Sequence, residues 1–231
     1  MLEDGLSYPV RGDWVGRVVI GGVLGLLSVL VIPTFLVLGY LVRVLERTVA
    51  GGEEPPEFDD WGDLLAKGVV ATLIAFAYSV VPVVLYGVVV TVIAGIGSGV
   101  GGDVGALIGA TGALLALAFL PVLALIYYAV PAALTAYAAR GEASAAFDVD
   151  LLRPTLFSVE YLVAVLSPIL VALGVFVVSI VLLVTVVGAV LVPFVQFYGQ
   201  VAVFRMFGAA FAAQTDGVDA GREGVGDAAT V

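Results

Sequence analysis

The sequence predicts an all-α integral membrane protein with five transmembrane helices and two interfacial amphipathic segments, built from a parallel helix–strap–helix repeat plus one extra helix. Three observations carry this. First, 62% of the 231 residues are hydrophobic and 12% are charged, about half the charged share of a soluble domain. Second, four long runs hold no charge: residues 18–42, 68–102, 104–139 and 161–204. About 20 apolar residues cross a hydrocarbon core of about 30 Å. The first three runs therefore hold one crossing each, and the fourth holds two, joined by a tight turn near Thr185 to Gly188. Third, the runs are apolar on every side and lack the alternation of a barrel strand. Their backbone must satisfy its own hydrogen bonds, as a helix does.

The elements follow in order. Residues 1–14, MLEDGLSYPVRGDW, are acidic and lack the basic region and short apolar core of a cleavable leader. They are expected to form an interfacial segment ahead of a polytopic domain at 15–213. The first crossing, Val18 to Val42, is expected as one tilted helix running through Pro33. A re-entrant hairpin broken at Pro33 is the alternative, but its arms of about 15 residues are too short to span. Next comes GGEEPPEFDDWGDLLAKG, residues 51–68, with six acids and a double proline. A Gly-rich link at 95–105 joins crossings two and three. Residues 214–231, rich in Gly, Ala and Asp without apolar periodicity, are expected to be a disordered tail.

The chain repeats itself. Pro33, Tyr40 and Arg43 late in crossing one are echoed by Pro131, Tyr137 and Arg140 late in crossing three. Each set is followed by Gly-Glu, then Phe-Asp, then Asp-Leu-Leu, then a second apolar helix with Ser79 and Pro82 or Ser167 and Pro168. Two copies pointing the same way make a parallel repeat. In the first strap Phe58, Trp61, Leu64 and Leu65 fall on one helical face, opposite Asp59, Asp60 and Asp63. In the second, Phe147, Leu151, Leu152 and Leu156 oppose Asp148, Asp150 and Arg153. Both straps are expected to lie in the interface, apolar side down. Tyr8, Trp14, Trp61 and Tyr161 suit an aromatic belt.

The segments YPVRGDW, IGG, IPTFLVLGYLVRVL, GGEEPPEFDDWGDLLAKG and AARGEASAAF together resemble an archaeal multi-pass membrane family, domain-of-unknown-function family 4013. The resemblance runs over roughly residues 6 to 213. It implies an integral membrane protein common in salt-loving archaea, and it brings no activity and no catalytic residues. The charge of −10, with 19 acids against nine bases, fits a halophile, whose surface carboxylates keep protein soluble in concentrated salt.

Bases near helix ends set orientation. Arg43, Arg47, Lys67, Arg140, Arg153, Arg205 and Arg222 lie on one side of a five-crossing chain, and Arg11 and Arg17 on the other. This predicts a multi-pass protein of the cell membrane with its C-terminus cytoplasmic and its N-terminus outside.

Several functions are disfavoured. The chain has no Cys, His or Asn, which removes disulfides, Cys/His metal sites and Asn-linked glycosylation. No charge lies near the middle of a span, where proton pumps and voltage sensors need one. The single lysine, Lys67, has no serine three or four residues away for a Ser–Lys arrangement. An enzyme is not expected, nor is any cofactor, metal or catalytic residue. Acidic loops argue against nucleic acid. The expected partner is the lipid bilayer, with a membrane-protein partner or a second copy of the chain left open.

The remaining candidates are few. The strap acids have ligand chemistry for a hard cation but match no Ca²⁺ loop pattern; a solvated face is the plainer use. Gly97, Gly99 and Gly102 spell a dinucleotide fingerprint without its strand. Gly21 with Gly25, and Gly105 with Gly109 and Ala113, form small-residue rows for helix packing. Gln196, Gln200 and Tyr198 are the most polar group deep in a span, suited to interhelical hydrogen bonds or a polar solute path. Two functions remain: a non-catalytic scaffold, assembly partner or membrane modulator, and a permease-like facilitator for a neutral or apolar solute.

Overall fold

The computed structural model describes residues 2–100 and 102–228, except the side chains of residues 81, 94, 97–99, 116, 160 and 215–228. The tail expected to be disordered, residues 214–231, has helical backbone as far as Ala228, and its side chains from residue 215 lie outside the described residues. Helices are α1 (Leu2–Ser7), α2 (Trp14–Leu26), α3 (Val31–Val49), α4 (Trp61–Gly99), α5 (Gly102–Arg140), α6 (Val149–Leu156), α7 (Val159–Leu183) and α8 (Val186–Ala228). The described residues contain no strand. Four stretches are long and apolar enough to cross a membrane: Trp61–Ile93, Gly102–Arg140, Tyr161–Leu183 and Val186–Gln214. A fifth is counted if Leu2–Val10 and Trp14–Val29, which meet at 92°, form one span. The helical membrane class expected from the charge-free runs holds.

The first crossing differs from the single helix expected. α2 stops at Leu26, a 3-10 turn covers Leu27–Val29, Leu30 is extended (φ −88°, ψ 114°), and α3 starts at Val31. Pro33 is the third residue of α3. The first four N–H groups of a helix have no intrahelical partner, so a residue lacking that donor is tolerated there. Pro33 thus opens a helix instead of kinking one. The Ser28 hydroxyl donates to the Leu24 carbonyl and the Thr34 hydroxyl to the Ser28 carbonyl, satisfying acceptors around the break.

The two arms fold back on each other. A Cβ built on Gly25 would meet Pro193, on Gly22 Phe194, and on Gly21 Phe197, so α2 runs antiparallel to α8. Phe197 also packs on Tyr40, and Gly208 on Thr48, so α3 runs parallel to α8. α2 and α3 are therefore a hairpin with its tip at residues 27–30. The 13 residues of α2 rise about 20 Å, short of the hydrocarbon core.

The N-terminal segment comes back to the first strap. Tyr8, Arg11 and Arg17 donate to the carbonyls of Glu54, Glu53 and Pro55. The N-terminal segment and the strap thus share one end of the structure, contrary to the opposite sides that a single crossing required. Tyr8 and Tyr161 are fully buried and belong to no belt, whereas Trp14 and Trp61 are exposed.

The chain divides into two compact units, Met1–Thr72 with Pro131–Val231, and Leu73–Val130. In the first, α8 is the hub and packs against α1, α2, α3, α6 and α7. Its core gathers Tyr8, Tyr40, Leu41, Val44, Leu64, Phe197 and Val201. α7 turns into α8 at Val184 and Thr185, where the Thr185 hydroxyl accepts the Gly188 N–H at 2.9 Å, close to where the turn was expected. The second unit is apolar helix with little burial; Tyr86 stacks on Phe119 at 3.9 Å. The expected Gly-rich link is mostly helical, since α4 runs to Gly99 and α5 begins at Gly102.

Candidate functional site

The first strap is an irregular segment whose backbone carbonyls are taken up one after another by cationic and phenolic donors. Gly52 accepts from Arg205 at 2.7 Å, Glu53 from Arg11 at 3.1 Å, and Glu54 from the Tyr8 hydroxyl at 3.0 Å. Pro55 accepts from Arg17 at 2.7 Å, Pro56 from the Tyr40 hydroxyl at 2.9 Å, and Asp59 from Arg43 at 2.9 Å. Two prolines and five acids in ten residues (51–60) leave this segment no regular structure in which to satisfy its backbone. The carbonyls therefore need donors from elsewhere. Arg205 also holds Asp4 at 3.0 Å and lies over the Tyr8 ring. Burial pushes the Asp4 carboxyl up, but hydrogen bonds from Arg11 and Arg205 outweigh it and hold it below the usual carboxylate range.

Helix ends and crossings fix where the strap begins and ends. α3 closes with the Gly52 N–H on the Arg47 carbonyl and the Gly51 N–H on the Thr48 carbonyl. Gly51 takes φ +77°, the left-handed conformation this cap requires. Gly141, after α5, likewise takes a left-handed conformation, φ +72°. α3 and α4 then cross at Gly39 and Gly68: a Cβ on either would fall on the other helix's backbone, at Leu64 or Phe35. Arg43 binds Asp63 at 2.9 Å and also Asp59, and Lys67 bridges Glu46 and Asp63 at 2.7 and 2.9 Å.

The expected strap residues separate. Phe58 stacks on Tyr40 at 4.0 Å, and Leu64 is fully buried against the core. Leu65 is half-buried and Trp61 exposed. In the second strap, α6 is capped by the Asp148 carboxylate on the N–H groups of Asp150 and Leu151. Leu152 is buried, Leu151 half-buried, and Phe147, Val149, Phe157 and Val159 are exposed.

Two hollows on the strap surfaces, about 350 and 270 Å³, are open and lined partly by charged groups such as Arg140 and Glu46. A third, about 140 Å³ and likewise partly open, lies within the span region, with Gln196 and Gln200 exposed on it. It is lined by Gly21, Gly25 and Ser28 from the hairpin's first arm and tip, Val37 from the second arm, and Pro193, Gln196, Phe197 and Gln200 from α8. Among the described residues no ionisable side chain lines it. Phe197, which touches Tyr40 and Phe58, stands on its strap side. Gln196 and Gln200 are brought together here as their spacing implied. Neither amide has a hydrogen-bond partner among the described residues. Tyr198 is not with them, because its hydroxyl donates to the Leu6 carbonyl. Among the described residues no group of carboxylates is placed to hold a metal ion.

Residues 26–187 match a family described as "Protein of unknown function (DUF4013)", a stretch of more than two thirds of the chain. The chain belongs to that family. No curated protein and no solved structure matches it. In this DUF4013 protein the matched stretch holds the hairpin tip, the second arm, both straps and α7. Gly21, Gly25, Pro193, Gln196, Phe197 and Gln200 lie outside it, so six of the eight residues lining the cavity come from segments that the family match does not cover.

Sequence reasoning found the glutamines because they are rare polar residues in an uncharged run. It missed Ser28 and the arginine–strap bonds. The double proline beside six acids and the two bases set apart from the other seven, Arg11 and Arg17, were the available signal, since a strap without regular structure needs donors.

Proposed function

We propose that this DUF4013 protein is a non-catalytic membrane facilitator, in which the α2–α3 hairpin enters the bilayer from one face and lines a path for a small solute. The observation that carries this is the cavity between the hairpin and α8, with Ser28, Gln196 and Gln200 on its walls. Non-helical backbone at membrane depth is tolerated where it is buried in protein or lines a water-filled cavity. Amides without protein partners in lipid are costly unless water or solute reaches them.

Orientation supports the same arrangement. Tyr161 packs on Phe207, and Gly208 on Thr48, so both straps stand at one end of the first unit. Arg11, Arg17, Arg43, Arg47, Lys67, Arg140, Arg153 and Arg205 are at that end. Four full crossings with a re-entrant hairpin then place these bases, with both ends of the chain, in the cytoplasm, as the positive-inside rule favours. The test is swelling or uptake by vesicles containing the purified protein. Solute flux above that of empty vesicles is expected, with the double change Gln196→Leu and Gln200→Leu reducing it by about tenfold. Equal flux with and without the protein, across water, polyols and small amides, contradicts the reading.

A scaffold role is the second reading. Gly109 in α5 has no atom within 4 Å of an added Cβ, which leaves room there for a helix of a partner to approach closely. Recovery of a stoichiometric membrane partner, with no flux, favours it.

A further inference from the structure

We propose that the hairpin cavity takes a small uncharged, hydrogen-bonding solute and that Arg17 keeps cations away from it; this rests on the facilitator reading above. The lining supplies amides and a hydroxyl and no charge. Each glutamine amide offers two donors and an acceptor. The Ser28 hydrogen is committed to the Leu24 carbonyl, which leaves its oxygen as an acceptor. At about 140 Å³ the space suits a few water molecules, at about 30 Å³ each in the liquid, or a solute of a few heavy atoms.

Arg17 lies on the cavity side of α2. Arg17, Gly21, Gly25 and Ser28 recur at intervals of four, four and three, which is one helical face. Four residues put Arg17 about 6 Å along the axis from Gly21, on the strap side of the cavity. Its side chain is more than nine-tenths buried, at 8% exposure. Its donors go to the backbone carbonyls of Pro55 and Arg11, and its Nε has no partner among the described residues. It makes no ion pair there, unlike Arg11, Arg43 and Arg205. The Glu54 carboxylate lies beside Gly12 near the Arg17 Nη2 without pairing with it, and a buried positive charge not held in an ion pair raises the energy of a second cation nearby and leaves a neutral molecule unaffected. Anchoring the strap is its other role, and that role needs only the hydrogen bonds.

Urea and guanidinium separate these roles, since they share size and shape and differ by one charge. Vesicles carrying the full chain are expected to pass urea faster than guanidinium by about tenfold or more. Arg17→Gln is expected to narrow that ratio toward one, and Arg17→Lys to keep it. Equal passage of the two probes through the unaltered protein overturns the filter without needing any variant. So does a folded Arg17→Gln protein that still excludes guanidinium. If the unaltered protein passes neither urea, glycerol nor water, the facilitator reading itself fails; urea flux with an unselective guanidinium path removes Arg17's role alone.

Discussion

Gly39 and Gly68 set how closely α3 and α4 approach, because each leaves room for the other helix's backbone. A side chain there has no flexible neighbour to displace. Gly39→Leu is expected to destabilise by about 3 kcal/mol, roughly 6–12 °C in Tm for a chain of this size. Gly109→Ala, with open space around it, is expected to be neutral or stabilising by about 0.5–1 kcal/mol; thermal melts of both variants in one detergent check the pair. Asp4 carries the pH dependence at this scale. Its folded-state value is lowered, so its contribution is fully present above its unfolded pKa of about 3.9 and is lost as the pH falls through the depressed value. Unaltered protein is therefore expected to lose more stability between about pH 4 and 2 than Asp4→Asn, read by melting temperature at each pH. Periodicity also explains a miss here. Tyr198 was grouped with Gln196 and Gln200 by proximity, yet two residues along a helix is about 200° of rotation, so it points to α1.

At the scale of elements, long charge-free runs were legible because run length is written in one dimension. The hairpin was not, because an apolar arm satisfies the bilayer equally whether it crosses or turns back. The contacts that decide it join distant parts of the chain: Arg17 to Pro55, Gly21 to Phe197, Tyr40 to Pro56. The strap was legible as a surface segment but not as a ligated one, since an amphipathic reading assigns faces to side chains and says nothing of backbone carbonyls. Tyr40→Phe isolates one of these bonds. It keeps the stack on Phe58 and leaves the Pro56 carbonyl without its donor, an expected loss of about 1–3 kcal/mol. Limited proteolysis within residues 51–60 should speed up accordingly, and unchanged cleavage and melting would show that the strap does not depend on this donor.

At the scale of the whole molecule, the account turns on the hairpin entering and leaving by the face that carries the strap. The chain has no native cysteine, so single cysteines can be placed in an unaltered background. Asp13 and Glu57 are exposed, Val29 at the hairpin tip is 93% exposed, and Thr185 immediately precedes α8, whose Arg205 reaches the strap 20 residues later. About 30 Å of helix therefore separates Thr185 from the strap end. The direct measurement is labelling of Asp13→Cys, Glu57→Cys, Val29→Cys and Thr185→Cys with a membrane-impermeant maleimide, applied to either face of sealed vesicles. Asp13→Cys and Glu57→Cys are expected to label from the same face, Thr185→Cys from the other, and Val29→Cys from neither. Labelling of Asp13→Cys from the face opposite Glu57→Cys would restore a full first crossing and contradict the re-entrant hairpin.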